Sequence, residues 1–307
     1  MFLSLAERAN LTKMRCMRGF LIKLVLIGFT LVMFETEPVA QVTDSPSQIS
    51  TVLSKDGTRI ALECKGKGPG LLIVHGGTGD RRRWIPLLPF FASRFTVCAM
   101  DRRGHGDSEP GSNYSLQKES EDVVAALNAQ AGPVFVLGHS IGAVFALESA
   151  FMTKKISKLV LYEPPLQDLD HTDVADRMER MIQSGDREAA LILFLREIVM
   201  LSSKEVEIMK ARPNWSTRVA GIDIQIREIR SLGKYRFTAS RMRKLKTPTL
   251  LLAGGDSASP QLRQAIKSLM DALPNRTLYV FQAEGHNAMD SKPQQFAEVV
   301  MNFLQTK

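Results

Sequence analysis

The stretch VFVLGHSIGAVFALESA, residues 134–150, decides the fold. Its first four residues are a continuous apolar run, which is typical of a strand buried on both faces. The pentapeptide GHSIG, residues 138–142, follows, and an apolar helical pattern comes directly after it. A glycine–x–serine–x–glycine turn between such a strand and a helix is a nucleophile elbow, which lifts the serine hydroxyl clear of the sheet. Ser140 is therefore the candidate nucleophile.

Short apolar runs alternate with helical patterns through most of the chain. Such alternation predicts an α/β fold, a mostly parallel sheet with helices on both faces. The first two strands, joined by a turn at residues 55–57, predict an antiparallel hairpin at one edge. The predicted strands are residues 48–53, 58–64, 71–74, 95–100, 133–137, 158–162, 249–253 and 277–281. The helices predicted around them are residues 82–91, 116–129, 140–151, 260–273 and 293–304.

Residues 166–246 interrupt this rhythm, because they contain no strand pattern but several segments of helical spacing. Connections in α/β units usually run about 2–6 residues, so an interval of this length is an insertion. We interpret it as a helical cap over the strand ends. The α/β core then consists of two parts, residues 41–165 and 247–307.

The first forty residues form a leader of different composition. Basic residues precede an apolar stretch, residues 24–34, in the order of a signal peptide, and Ala40 is a plausible last residue. We therefore expect export, to a periplasm or outside the cell. The alternative is an uncleaved anchor that associates with the membrane through residues 20–34.

Two cysteines, Cys64 and Cys98, lie beyond the leader, each in a predicted strand. We favour two buried thiols, with a disulfide as the alternative in an exported protein. The net charge is +8, and residues 227–246 carry eight basic side chains against the single Glu228. We favour a solvated helix face for this run over attraction to an anionic surface or substrate. Nucleic acid is not expected as a partner, since no aromatic residues interleave with the charges.

A serine hydroxyl needs a base, and His286 is the candidate among five histidines. It alone follows the last predicted strand, in a Gly-His turn, and the chain order serine, acid, histidine fits that place. For the acid that orients His286 we predict Asp256, after the strand at residues 249–253, with Glu163 as the rival.

The oxyanion of an acyl-transfer reaction needs donors. The backbone amide of Ile141, directly after the nucleophile, is one candidate. The loop HGGTGD, residues 75–80, supplies the second, and its glycines permit close backbone approach. We assign this role to Gly77, with Thr78 as the second choice.

With these motifs the chain resembles the α/β-hydrolase superfamily over nearly all of residues 51–303. The motifs that carry the resemblance are HGG at 75–77, DRRGHGDS at 101–108, GHSIG at 138–142, GD at 255–256 and GH at 285–286. The resemblance implies a serine hydrolase acting on a small or medium ester through an acyl-enzyme, with a small-molecule acyl substrate. It assigns an architectural role to the turn at 101–108 and suggests that Trp84 lies near the substrate, with a plain core role as the alternative. No cofactor or metal is expected, because no zinc, phosphate-loop or dinucleotide motif occurs.

Alternatives to this interpretation remain open from sequence. The same three residues could cleave a C–C bond, a lactone or an amide, transfer acyl groups to another acceptor, or act as a cofactor-free haloperoxidase. Outside enzymes, the fold can serve as a ligand receptor, or the leader and the basic run could belong to a membrane-associated interaction protein.

Overall fold

A computed structural model describes residues 48–166 and 170–306, so the predicted leader and residues 20–34 lie outside the described residues. The strands are β1 Gln48–Leu53, β2 Arg59–Lys65, β3 Gly70–Val74, β4 Thr96–Met100, β5 Val134–His139, β6 Ile156–Tyr162, β7 Thr249–Gly254 and β8 Arg276–Phe281. The α-helices are α1 Leu88–Ala92, α2 Leu116–Asn128, α3 Ile141–Ser149, α4 Thr172–Gln183, α5 Arg187–Leu193, α6 Ser203–Lys210, α7 Trp215–Ala220, α8 Asp223–Leu232, α9 Ala239–Met242, α10 Pro260–Ala272, α11 Ala288–Ser291 and α12 Pro293–Gln305.

The strands form one sheet in the order β1-β2-β4-β3-β5-β6-β7-β8. Strand β2 is antiparallel to both neighbours, and the pairs from β4 to β8 are parallel. This confirms the predicted α/β-hydrolase fold, an eight-stranded and mostly parallel sheet flanked by helices. Because the carboxyl ends of parallel strands meet at one edge of a sheet, the residues that follow β3, β5, β6 and β8 can come together there.

Both faces of the sheet are buried, as the continuous apolar strands predict. Alternate residues of a strand point to opposite faces. Leu72 accordingly packs in the core on the side of α2, α3 and α10, whereas Leu71 packs on the side of α1 and α12. The helix predicted over residues 82–91 is instead a 3-10 helix, Arg81–Leu87, followed by α1. Pro86 lies inside this segment, and a proline there removes a hydrogen-bond donor that an α-helix needs.

Helices α4 to α9 occupy the interval between β6 and β7, together with a π-helical turn at Phe194–Ile198. Helices α4 to α8 have an apolar cluster of their own, which includes Met178, Leu191, Phe194 and Ile229, whereas Met242 of α9 packs in the core. We call the described part of the predicted insertion, residues 170–246, the cap. No helix among the described residues is long and apolar enough to cross a membrane.

Cys64 and Cys98 lie directly opposite each other on the antiparallel strands β2 and β4, and a disulfide joins them. The favoured interpretation of two separate buried thiols is therefore wrong. The strand register is the physical reason, because it brings their Cα atoms to 4.1 Å from each other.

The basic run at residues 227–246 is partly engaged in the fold. Arg230 binds carboxylates of α4 at 2.8 Å, and Arg241 binds Glu148 of α3 at 2.6 Å. Arg227 lies over the Tyr114 ring, 4.5 Å from its centroid. The Arg230 contact joins two helices of the cap, whereas the contacts of Arg241 and Arg227 attach the cap to the core. Together they account for part of the charge without an external partner.

Candidate active site

Ser140 lies at the tip of a sharp turn between β5 and α3. Its backbone angles, φ 54° and ψ −130°, are uncommon for a residue with a side chain. The glycines on either side are required by close packing. A Cβ atom on Gly142 would lie 2.3 Å from the His75 carbonyl oxygen, and one on Gly138 would lie 2.5 Å from the Ala143 Cα atom. The turn therefore has the geometry of the predicted elbow.

His286 is bound to a carboxylate, and that carboxylate is Glu163. The distance from His286 Nδ1 to Glu163 Oε2 is 2.6 Å. Glu163 follows β6 directly and is buried, and its other oxygen accepts the Gly254 amide at 2.8 Å. The Ser257 hydroxyl donates to Glu163 Oε2 at 3.3 Å. These bonds fix the carboxylate in the position expected of a group that selects the histidine tautomer.

The prediction that Asp256 orients His286 is therefore corrected. Asp256 is exposed, and its backbone amide donates to the Glu284 carbonyl at 2.9 Å. The end of β7 packs closely against the loop that carries His286. No side chain fits at Gly254, since a Cβ atom there would lie 2.4 Å from the Gly285 oxygen. The signal for Glu163 was present in the sequence, because it directly follows the strand beside the nucleophile strand.

Two aromatic side chains hold the backbone around His286. The Tyr162 hydroxyl donates to the Gly285 carbonyl at 2.5 Å and accepts the Ala288 amide at 3.1 Å. The His139 ring nitrogen Nε2 lies 3.0 Å from the His286 carbonyl oxygen. Burial, together with the neighbouring His286, holds the pKa of His139 well below its usual range. A neutral His139 therefore donates from Nε2, and it serves the loop rather than the chemistry.

Ser140 and His286 line the same cavity, which encloses about 750 Å³ including its open mouth. Its wall is largely apolar, with Phe194, Ile229 and Leu232 from the cap. Within the described residues, no hydrogen bond joins the Ser140 hydroxyl to the imidazole. Contacts between nucleophile and base are often longer in a protein without substrate, so the shared cavity is the relevant observation.

Both predicted oxyanion donors lie at this cavity. Ile141 is the first residue of α3, so its amide has no acceptor within the helix. Gly77 faces the cavity from the loop after β3, and a Cβ atom there would lie 2.5 Å from the end of the Gln225 side chain. The structure thus brings Ser140, His286, Gly77 and Ile141 together, as the sequence suggested.

Trp84 does not reach the cavity. It has no exposed surface and packs in the core beside α12, with its ring 6.3 Å from that of Phe296. Its suggested place beside the substrate is therefore corrected to a core role. The 3-10 helix that carries it turns the indole toward the sheet, where the apolar cluster of α1 and α12 covers it.

The turn at residues 101–108 holds two fully buried arginines, each paired with carboxylates. Arg103 binds Asp122 through two bonds of 2.6 Å, and Arg102 binds Glu119 at 3.1 Å and Glu228 at 2.6 Å. Charges buried in this way are tolerated only with partners. Because Glu228 belongs to α8, the turn fastens the cap to the core, which agrees with an architectural role.

Comparison with known proteins identifies the family to which the chain belongs. The model of the α/β-hydrolase family matches residues 71–299, most of the chain. An α/β hydrolase from Sphaerobacter thermophilus is 31% identical and superposes with a TM-score of 0.73, covering 83% of this chain and 100% of that one. The chain therefore belongs to the α/β-hydrolase family and is a hydrolase.

Two curated relatives are more distant. An uncharacterized hydrolase, YraK of Bacillus subtilis, is 26% identical over 68% of this chain and 79% of its own length. The 2-(acetamidomethylene)succinate hydrolase of Mesorhizobium japonicum is 22% identical over 78% of this chain and 89% of its own. The esterase RhEst1 of Rhodococcus shares the fold, with a TM-score of 0.69 at 21% identity, over 84% of this chain and 98% of that one.

Proposed function

We propose that this hydrolase cleaves small or medium carboxylic esters through an acyl-enzyme on Ser140. The observation that carries the proposal is that the elbow serine and His286 line one cavity, while Nδ1 of His286 lies 2.6 Å from Glu163. A serine, a histidine and a carboxylate in this relation are the components of nucleophilic acyl transfer.

The proposed reaction has two halves. His286 Nε2 takes the hydroxyl proton as Ser140 Oγ bonds to the ester carbonyl carbon, and the amides of Gly77 and Ile141 hold the oxyanion. The C–O bond to the alcohol then breaks, and the alcohol leaves with the proton from His286. Water repeats the sequence on the acyl-enzyme and releases the carboxylic acid. Glu163 keeps the imidazole in the required tautomer and stabilises its cation throughout.

The cavity wall favours an uncharged, apolar acyl group. Two carboxylates, Glu197 and Glu228, line it, and each is already bound to an arginine. Among the described lining residues there is no lysine or arginine. A carboxylate on the substrate would therefore lose its hydration beside two carboxylates without gaining a lysine or arginine as a partner. We expect this chain to prefer neutral acyl groups to a dicarboxylic substrate such as the one in the name of the Mesorhizobium relative.

A series of p-nitrophenyl esters tests the proposal. We expect a burst of one equivalent of nitrophenol, and kcat/KM that rises from acetate to a medium chain and is at least about tenfold lower for the succinate half-ester than for butyrate. The burst should vanish in Ser140→Ala and persist in Ser93→Ala, which changes an exposed serine at the end of α1. Turnover of the matched anilides but not of the esters would assign the site to amides instead, and a burst in Ser140→Ala would contradict the proposal.

A further inference from the structure

Thr78, the residue after Gly77, has an uncommon backbone conformation. Its φ of 55° is in the left-handed region, which a β-branched residue adopts only when its surroundings hold it there. Thr78 belongs to the loop at residues 75–80, which we call the oxyanion loop. The contacts that hold Thr78 come from the cap, on two different helices.

The first contact is from Gln225 of α8, which is almost completely buried. With its amide oriented so that both ends are paired, its oxygen accepts the Thr78 backbone amide at 3.2 Å. Its nitrogen then donates to Glu228 Oε2 at 3.1 Å. Since Glu228 is bound to Arg102 at 2.6 Å, the Gln225 side chain links the oxyanion loop to the buried ion pairs of the core.

The second contact is from Arg218 of α7, which is 4% exposed. Its Nη1 donates to the Thr78 hydroxyl at 2.7 Å. Its Nε has no hydrogen-bond partner, and within the described residues no carboxylate lies at ion-pair distance from its guanidinium. Burial, with Arg83 nearby, lowers the pKa of Arg218 to about 10, so it still carries its charge at neutral pH.

A buried cation without an anionic partner costs stability. A hydrophobic side chain of similar size would serve packing better at this position. Among the described residues, the hydrogen bond that Arg218 makes is to the Thr78 hydroxyl, next to the Gly77 amide that is proposed to face the oxyanion. A role in holding the oxyanion loop therefore explains why an arginine stands at position 218 better than a role in stabilising the cap does.

We propose that Arg218 and Gln225 are positioning residues, which fix Thr78 and thereby aim the Gly77 amide at the oxyanion. This inference rests on the proposed function. The oxyanion hole then consists of two parts. The core alone fixes the position of the Ile141 amide, whereas contacts with the cap fix the position of the Gly77 amide. Because a donor contributes most when it is aimed at the transition state, its loss of aim should lower kcat more than it raises KM.

Three variants remove the contacts: Thr78→Val, Arg218→Met and Gln225→Met. We expect each to lower kcat about tenfold or more with KM changed less than about twofold. Thr78→Ser keeps the hydroxyl and should retain most of the native kcat. The double variant Thr78→Val with Arg218→Met should be no slower than the worse of the two single variants, because both remove the same contact.

The matched control is Arg230→Met, which removes a guanidinium and its two ion pairs from α8 without touching the oxyanion loop. A second readout is the affinity of an alkyl boronic acid, which forms a tetrahedral adduct with a serine. In the three variants this affinity should fall in proportion to kcat, whereas the affinity of the trigonal carboxylic acid product should not change. A purely structural role would instead lower the melting temperature and leave the ratio of the two affinities unchanged.

The result that overturns the inference is native kcat and native boronate affinity in the three variants, or losses no larger than those of Arg230→Met. In that case a native chain with a nitrophenol burst still supports the proposed function. A native chain that neither turns over esters nor binds the boronate overturns both the proposed function and this inference.

Discussion

Glu163 and His286 meet at 2.6 Å, although their positions in the chain are 123 apart. The two ends of this contact come from the loops after β6 and β8. Strand β6 is also the neighbour of the nucleophile strand, and the Ser140 amide donates to the Tyr162 carbonyl at 2.8 Å. Glu163 is therefore connected to the elbow through the backbone of adjacent strands, which fixes one end of the proposed catalytic arrangement.

The first prediction separates the two candidate acids. Glu163→Gln should lower kcat by about 10³- to 10⁴-fold, because an amide in place of the carboxylate cannot hold the imidazole in the right tautomer or stabilise its cation. Asp256→Asn should leave kcat within about twofold, since Asp256 is exposed and His286 Nδ1 is bound to Glu163. Steady-state kinetics on the same nitrophenyl ester compares them. The reverse order of effects would restore Asp256 as the acid.

The second prediction concerns the loop that carries His286. Tyr162→Phe removes the hydroxyl that binds Gly285 and Ala288, and leaves both backbone groups without that partner. We expect a loss of about 1–3 kcal/mol in the free energy of unfolding, measured by urea denaturation. The kcat should fall about tenfold, because the imidazole is less well placed. A native kcat in a destabilised variant would show that the position of His286 does not depend on the Tyr162 hydroxyl.

The fold was more predictable from the sequence than the details of the site. The strands and the elbow follow from local patterns, namely apolar runs and the glycines at 138 and 142, so eight strands and Ser140 could be assigned. The choice between Glu163 and Asp256 depends on how closely β7 approaches the histidine loop, which a local pattern does not encode. Trp84 was misplaced for a similar reason, because the direction of its side chain depends on a 3-10 turn.

Long-range contacts account for the other omissions. The contact of Gln225 with Thr78 joins segments about 150 residues apart that meet only when the cap is seated. The disulfide depends on the exact register of β2 and β4, which the sequence leaves open. In contrast, the architectural role of the turn at 101–108 agrees with the resemblance, since its arginines are buried and paired.

The third prediction is a loss of stability in mild acid. Burial lowers the pKa of His75, His105 and His139 in the folded chain. Below about pH 6.5 the unfolded chain therefore binds protons that the folded chain does not, so stability present above that pH is lost as the pH falls through it. Glu119 acts in the opposite sense, since burial raises its pKa from 4.5 to about 7 and the folded chain holds its proton longer. Three histidines act against this single carboxyl group, so the free energy of unfolding decreases as the pH falls.

Denaturation in urea between pH 7.5 and 5.5 measures this slope. The His139→Gln variant should lose about 1 kcal/mol less over the range than the native chain, because one of the three groups no longer titrates. An equal slope in the native chain and the variant would contradict the assignment of a lowered pKa to His139.

The fourth prediction concerns the disulfide between Cys64 and Cys98, which closes a loop across 34 positions. Loop-closure entropy gives a contribution of about 3–4 kcal/mol to the free energy of unfolding. Reduction with dithiothreitol should therefore lower the melting temperature of the native chain by several degrees and leave that of Cys64→Ser unchanged. An equal shift in both proteins would show that reductant acts elsewhere or that the bond is not formed.

The measurement that tests the central claim most directly is labelling by a fluorophosphonate, followed by intact-mass and peptide mass spectrometry. The reagent phosphonylates a serine only when a base activates it and an oxyanion hole receives the adduct. We predict one adduct per chain, located on Ser140, with none in Ser140→Ala and a strongly reduced rate in His286→Ala. An unlabelled native chain, or an adduct that persists in Ser140→Ala, would contradict the account.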